Sequence, residues 1–146
     1  MRNARWPALV LPAWISLIIA SGATGQAPDW PWLGVIITDI TKSDLDGRGG
    51  GEGGSYVTGV ETPGPASAAG VLRHDIIVAV DGRAAINTRE LTCLIQGRRP
   101  GDVVLVTIMR GGRQQSMTAK LARWPEFKDF PRPRSGDCGK DRVSAR

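Results

Sequence analysis

Apolar and polar residues change places along this chain at short intervals, and the pattern predicts mostly strands. Residues 33–40, "LGVIITDI", are apolar and β-branched, as in a strand buried on both faces. The stretch 41–54, "TKSDLDGRGGGEGG", is polar and Gly-rich and predicts a loop. "SYVTGVET", 55–62, alternates as a strand does. "PGPASAAGV", 63–71, reads as a turn and a short helix, with Pro65 in the first helical turn and Gly70 at its end. "DIIVAVDG", 75–82, is a strand stopped by an Asp-Gly turn. Asn87 is placed to N-cap a helix over 88–97, with Glu90 three residues later as in a capping box and Leu91, Leu94 and Ile95 at core-facing spacing. Residues 102–110 and 113–121 form two strands joined by Gly111-Gly112, a hairpin signal. The order is strand, strand, short helix, strand, helix, hairpin. It predicts a mainly β fold: a small, partly open antiparallel β-barrel capped by two α-helices.

The first residues follow a different pattern. Arg2 and Arg5 precede the apolar run "ALVLPAWISLIIA", and small residues follow in "SGATGQA". That order matches a secretory signal peptide over 1–23, with cleavage as late as residue 27. The expected location is periplasmic or secreted; an uncleaved leader would instead anchor the chain at the inner membrane. Beyond residue 124 the periodicity is lost, and 125–146 reads as a Pro-rich, basic, disordered tail. "FPRPR" within it fits a linker or an extended recognition segment.

With 146 residues, the chain has room for one real core. Its formal net charge is +5, but residues 123–146 hold seven basic against four acidic residues. The basic excess therefore gathers at the C-terminal end, not on a folded face beside aromatics, which argues against nucleic acid as a partner. Cys93 and Cys138 are the two cysteines. An oxidising compartment permits their pairing. However, Cys93 falls in a predicted helix and Cys138 in the tail, so Cys93 is expected as a buried or half-buried thiol, with pairing left open. Two cysteines and one histidine far apart give no metal-site spacing.

Catalytic chemistry finds little support. His74, the only histidine, stands in a tight turn before a strand, and no G-x-S-x-G accompanies it. Gly49, Gly51 and Gly54 satisfy G-x-G-x-x-G, but a strand-like run follows where a dinucleotide site needs a helix. No cofactor or metal is expected.

The segments "PWLGV", "PASAAGVLRHDIIVAVDG" and "RRPGDVVLVTIMRGG" resemble the PDZ domains of bacterial HtrA-type periplasmic proteases. The resemblance implies a PDZ-like domain over 30–124. His74 stands where that family usually has glycine. Only a signal peptide precedes the domain here, so protease activity is not carried over. The resemblance implies a carboxylate-binding loop at Trp32, Leu33, Gly34 and Val35, whose backbone N–H groups would converge on a peptide's terminal carboxylate. It further implies a peptide groove formed by Ile36, Ile37, Thr38, Thr88, Thr92 and Ile95. Trp30 and Trp32 fit either a contact with the ligand or a lid over the barrel.

The expected function is an exported peptide-binding module that takes protein C-termini or extended peptides, apolar at the last residue, by strand addition. It would serve as an adaptor or accessory to envelope proteolysis, with a separate periplasmic protease among the expected partners. The alternative is a structural subunit of an envelope assembly that uses the fold as a docking face without binding peptide.

Overall fold

A computed structural model describes residues 29–45, 53–125 and 138. The expected leader, residues 46–52 of the Gly-rich stretch and the tail apart from Pro125 and Cys138 lie outside the described residues. Among the described residues there are eight strands: β1 (Pro31–Trp32), β2 (Val35–Ile40), β3 (Gly54–Val60), β4 (Ile76–Val80), β5 (Arg83–Ala84), β6 (Val103–Arg110), β7 (Arg113–Lys120) and β8 (Ala122–Arg123). Three helices join them: α1 (Lys42–Leu45), α2 (Pro65–Ala69) and α3 (Thr88–Gln96).

The main sheet is antiparallel, in the order β2-β3-β4-β6-β7, with β5 paired to β4. It does not close, so β2 is left as an edge strand. Two mirror-type turns set the hairpins. Asp81 and Gly82 (φ 49° and 75°) link β4 to β5, and Gly111 and Gly112 (φ 55° and 75°) link β6 to β7. One contiguous core includes Leu33, Val57, Ile77, Leu91, Val106, Ile108 and Leu121, all buried, so the sheet and α3 share a single apolar interior.

A buried ion pair fixes the turn between α2 and β4. Asp75 is 1% exposed, and its carboxylate accepts from Arg110 Nε and Nη2 at 2.7 Å each and from the Leu72 N–H at 2.8 Å. Arg110 Nη2 also donates to the Gly70 carbonyl at 2.9 Å. This two-pronged bond raises the Arg110 guanidinium above its ordinary pKa. Removing one partner would leave a buried charge uncompensated, the costly way to break such a pair.

Three features depart from the sequence reading. The polar stretch after β2 opens with the single turn α1, where Asp44 accepts from both the N–H and the hydroxyl of Thr41. The two-residue strands β1 and β8 pair with each other and bring the ends of the folded region together. Cys93 is not a free thiol: it forms a disulfide with Cys138, 45 residues away, with the Cα atoms 5.2 Å apart. That pairing depends on where the chain returns after β8, which no local pattern encodes.

Candidate functional site

The site begins at the turn between β1 and β2. Gly34 has φ +82°, a conformation that side-chain-bearing residues rarely adopt. The turn's carbonyls face the protein body. The Leu33 carbonyl accepts from the Ala66 N–H at 2.9 Å, and the Gly34 carbonyl accepts from the Glu61 N–H at 2.9 Å. The first bond also satisfies an orphan donor of α2, whose N-cap, Gly64, has no side chain to do so. In a trans peptide the N–H points opposite to the carbonyl. The N–H groups of Gly34 and Val35 are thereby turned away from α2 and β3, toward the open side of β2. Among the described residues, neither the Leu33 nor the Gly34 N–H donates to a backbone carbonyl.

Below this turn runs a groove of about 280 Å³ between β2 and α3. Leu33, Val35, Ile37, Leu91 and Ile95 give it an apolar floor, Thr92 and Gln96 flank it, and Trp30, Trp32 and Trp124 close the end beside the turn. The tryptophans are held there by the β1–β8 ribbon, in which the Trp124 N–H donates to the Trp30 carbonyl at 2.8 Å. Trp32 packs under the turn: a methyl group on Gly34 would come 3.4 Å from its ring.

Of the residues singled out in the sequence, the structure brings Trp32, Leu33, Gly34, Val35, Ile36, Ile37, Thr92 and Ile95 to this groove. Ile36 lies on its rim, 43% exposed. The Thr92 hydroxyl donates to the Thr88 carbonyl at 2.7 Å, so its polar group is spent within α3. Thr38 and Thr88 do not border the groove. Thr38 falls on the face of β2 opposite Val35 and Ile37, and across the far end of the groove the Asp39 carboxylate accepts from the Thr88 N–H at 2.7 Å, joining β2 to the start of α3. That bond, with a smaller contribution from the Thr88 side chain, lowers the Asp39 pKa from its usual value. The sequence reading placed Leu91 in the core only and gave no role to Glu61, Gln96 or Trp124. Trp124 reaches the groove through the β1–β8 pairing and Glu61 through its bond to Gly34, long-range contacts that periodicity does not carry.

The groove can take an extended apolar chain, with the backbone N–H groups of the Gly34 turn at one end. Among the described residues, no group of three or more His, Cys, Asp or Glu could hold a metal ion, and no helix is long and apolar enough to cross a membrane.

Comparison with known proteins places this geometry. A probable periplasmic serine endoprotease, DegP-like, of Rhizobium meliloti (strain 1021) is 26% identical over 140 residues, covering 95% of this chain and 27% of that protein. The solved structure of the HtrA-type protease AlgW with decapeptide is similar with a TM-score of 0.58 at 30% identity, covering 66% of this chain and 30% of that one. The HtrA3 PDZ domain bound to a phage-derived ligand, FGRWV, is similar with a TM-score of 0.52 at 25% identity, covering 66% of this chain and 95% of that one. The chain spans between 20% and 27% of the length of the curated relatives it matches. The open antiparallel sheet, the glycine turn and the flanking helix all fall within residues 31–121, the region matched by the model of the PDZ domain family, and the chain belongs to that family.

Proposed function

We propose that the chain is a non-catalytic module that binds the C-termini of partner proteins in the groove between β2 and α3. The observation that carries this reading is the Gly34 turn, whose Gly34 and Val35 N–H groups face away from the protein body at the end of an apolar groove beside an edge strand. A carboxylate supplies the acceptors that such a turn lacks. The remainder of the peptide adds as a strand to β2. The Glu61-to-Gly34 bond leaves Val35–Val60 as a non-hydrogen-bonded pair, so the Val35 backbone groups face the open edge. Main-chain pairing gives affinity with little sequence demand, and the floor of Leu33, Val35, Ile37 and Ile95 favours an apolar last residue.

The names of the relatives support a periplasmic setting, and the solved neighbours that carry peptides support a peptide partner. In that setting the module presents exposed C-termini to envelope proteolysis as an adaptor or accessory. Amide resonance mapping tests the site. Titration with a free-acid peptide ending in valine is expected to shift Leu33–Ile37 and the α3 residues Leu91–Gln96. Shifts confined to β6 and β7 would contradict the reading and favour the sheet face as a docking surface.

A further inference from the structure

We infer that the side-chain N–H groups of Gln96 and Trp30 help to hold a peptide's terminal carboxylate, beside the backbone of the Gly34 turn. The inference rests on the peptide reading above. Among the described residues, three buried side-chain polar atoms have no hydrogen-bond partner: Ser55 Oγ in β3, and Trp30 Nε1 and Gln96 Nε2, whose residues both line the groove. Both groove atoms are donors. A buried donor without an acceptor forfeits the bond that it makes to water in the unfolded chain, so two of them in one groove point to an acceptor that arrives with a ligand.

The course of α3 places Gln96 at the turn. The Asp39–Thr88 bond ties the start of α3 to the end of β2. From Thr88 to Gln96 the helix rises about 12 Å, at about 1.5 Å per residue. From Asp39 back to Val35 the strand covers about 13 Å, at about 3.3 Å per residue. Gln96 borders the same groove as Gly34, so α3 runs back along β2 and ends level with the turn. Trp30 reaches that end through its bond to the Trp124 N–H, which extends the β1–β8 ribbon, and α3 packs against β1.

The Gln96 amide is free to turn. Its Oε1 lies 3.3 Å from Cys138 Sγ, but Cys138 is half of a disulfide and its sulfur carries no hydrogen to donate. Neither N–H has an internal bond to break when its side chain swings onto the groove, a rotamer change of the kind that interfaces commonly show. A carboxylate offers about four acceptor sites, of which the Gly34 and Val35 N–H groups take two. No Lys, Arg or His lines the groove among the described residues, so neutral donors are what the lining offers to the rest. Bonds to an ionised acceptor are roughly twice as strong as those to a neutral one, so these donors favour a free C-terminus over an amidated one.

Calorimetric titration of the full chain with one valine-ended peptide, as the free acid and as the C-terminal amide, reads this as the ratio of the two affinities. Gln96→Met and Trp30→Phe each remove the N–H and keep an apolar side chain of similar shape. Each is expected to lower the ratio about 3- to 10-fold. Gln96→Glu sets a like charge beside the carboxylate. It should weaken the free acid about tenfold or more and the amide less, with the gap shrinking as salt rises from about 50 to about 500 mM. A parental ratio in either Gln96→Met or Trp30→Phe, with thermal unfolding showing the variant folded, would overturn the inference while leaving the peptide reading intact. If the unmodified protein binds neither peptide, or binds the two equally, the carboxylate reading fails and this inference fails with it.

Discussion

Gly34 carries the site at the level of single residues. Its φ of +82° costs a side-chain-bearing residue about 1–2 kcal/mol. That same conformation turns the Gly34 and Val35 amides toward the groove while the carbonyls bond to Ala66 and Glu61. Gly34→Val is expected to lower the melting temperature by roughly 5–15 °C. It should weaken a free-acid peptide by about tenfold or more, the worth of one hydrogen bond to a charged group. Thermal unfolding with calorimetry on the same preparation separates the two effects; a folded Gly34→Val variant with parental affinity would remove the turn from the site. Gly34 was legible in the sequence through the resemblance of "PWLGV" and the later segments to the PDZ family, since the apolar pattern alone placed it inside a strand over 33–40. His74 was legible as a departure through the same resemblance. It holds φ +76°, and its Nδ1 is bonded to the Tyr56 hydroxyl, a partner 18 residues away that no local pattern reveals.

Among the elements, α3 and β2 form the groove walls, and their spacing is set at the far end by Asp39. The α3 cap could be read in advance: Asn87 Oδ1 accepts from the Glu90 N–H at 2.8 Å. The return bond of Glu90 goes to the Ile86 N–H at 3.1 Å, one residue earlier than the capping-box pattern places it. The Asp39–Thr88 bond could not be read, because it spans 49 residues and joins a strand's exposed end to a helix start. The lowered Asp39 pKa fixes the sign of a pH effect. A carboxylate with a depressed folded pKa stabilises above its unfolded value and loses that contribution as pH falls through the folded one. Asp39→Ala is therefore expected to cost about 0.5–1 kcal/mol at neutral pH, as a lost exposed cap does. The difference from the parent should fade as the pH is lowered from 3.8 through the folded pKa. Urea unfolding at neutral and acid pH measures this; an equal cost at both would show that the charge on Asp39 does not hold α3.

At the scale of the molecule, the antiparallel order and the core were largely legible, since strand alternation and turn residues are local. What escaped was long-range. The β1–β8 ribbon brings Trp30 and Trp124 to one end of the groove, and the Cys93–Cys138 disulfide returns the chain to α3 beside Gln96. Both devices gather the two ends of the folded region around the site, so the groove is a property of the closed chain rather than of one segment. The edge strand β2 is the other whole-molecule feature, since an unclosed sheet leaves its backbone open to an added strand. The central claim is that the Gly34 turn receives a terminal carboxylate. Calorimetric titration of one valine-ended peptide, as the free acid and as the C-terminal amide, tests it most directly. The free acid is expected to bind at least about tenfold more tightly than the amide; equal affinity for the two forms would contradict it.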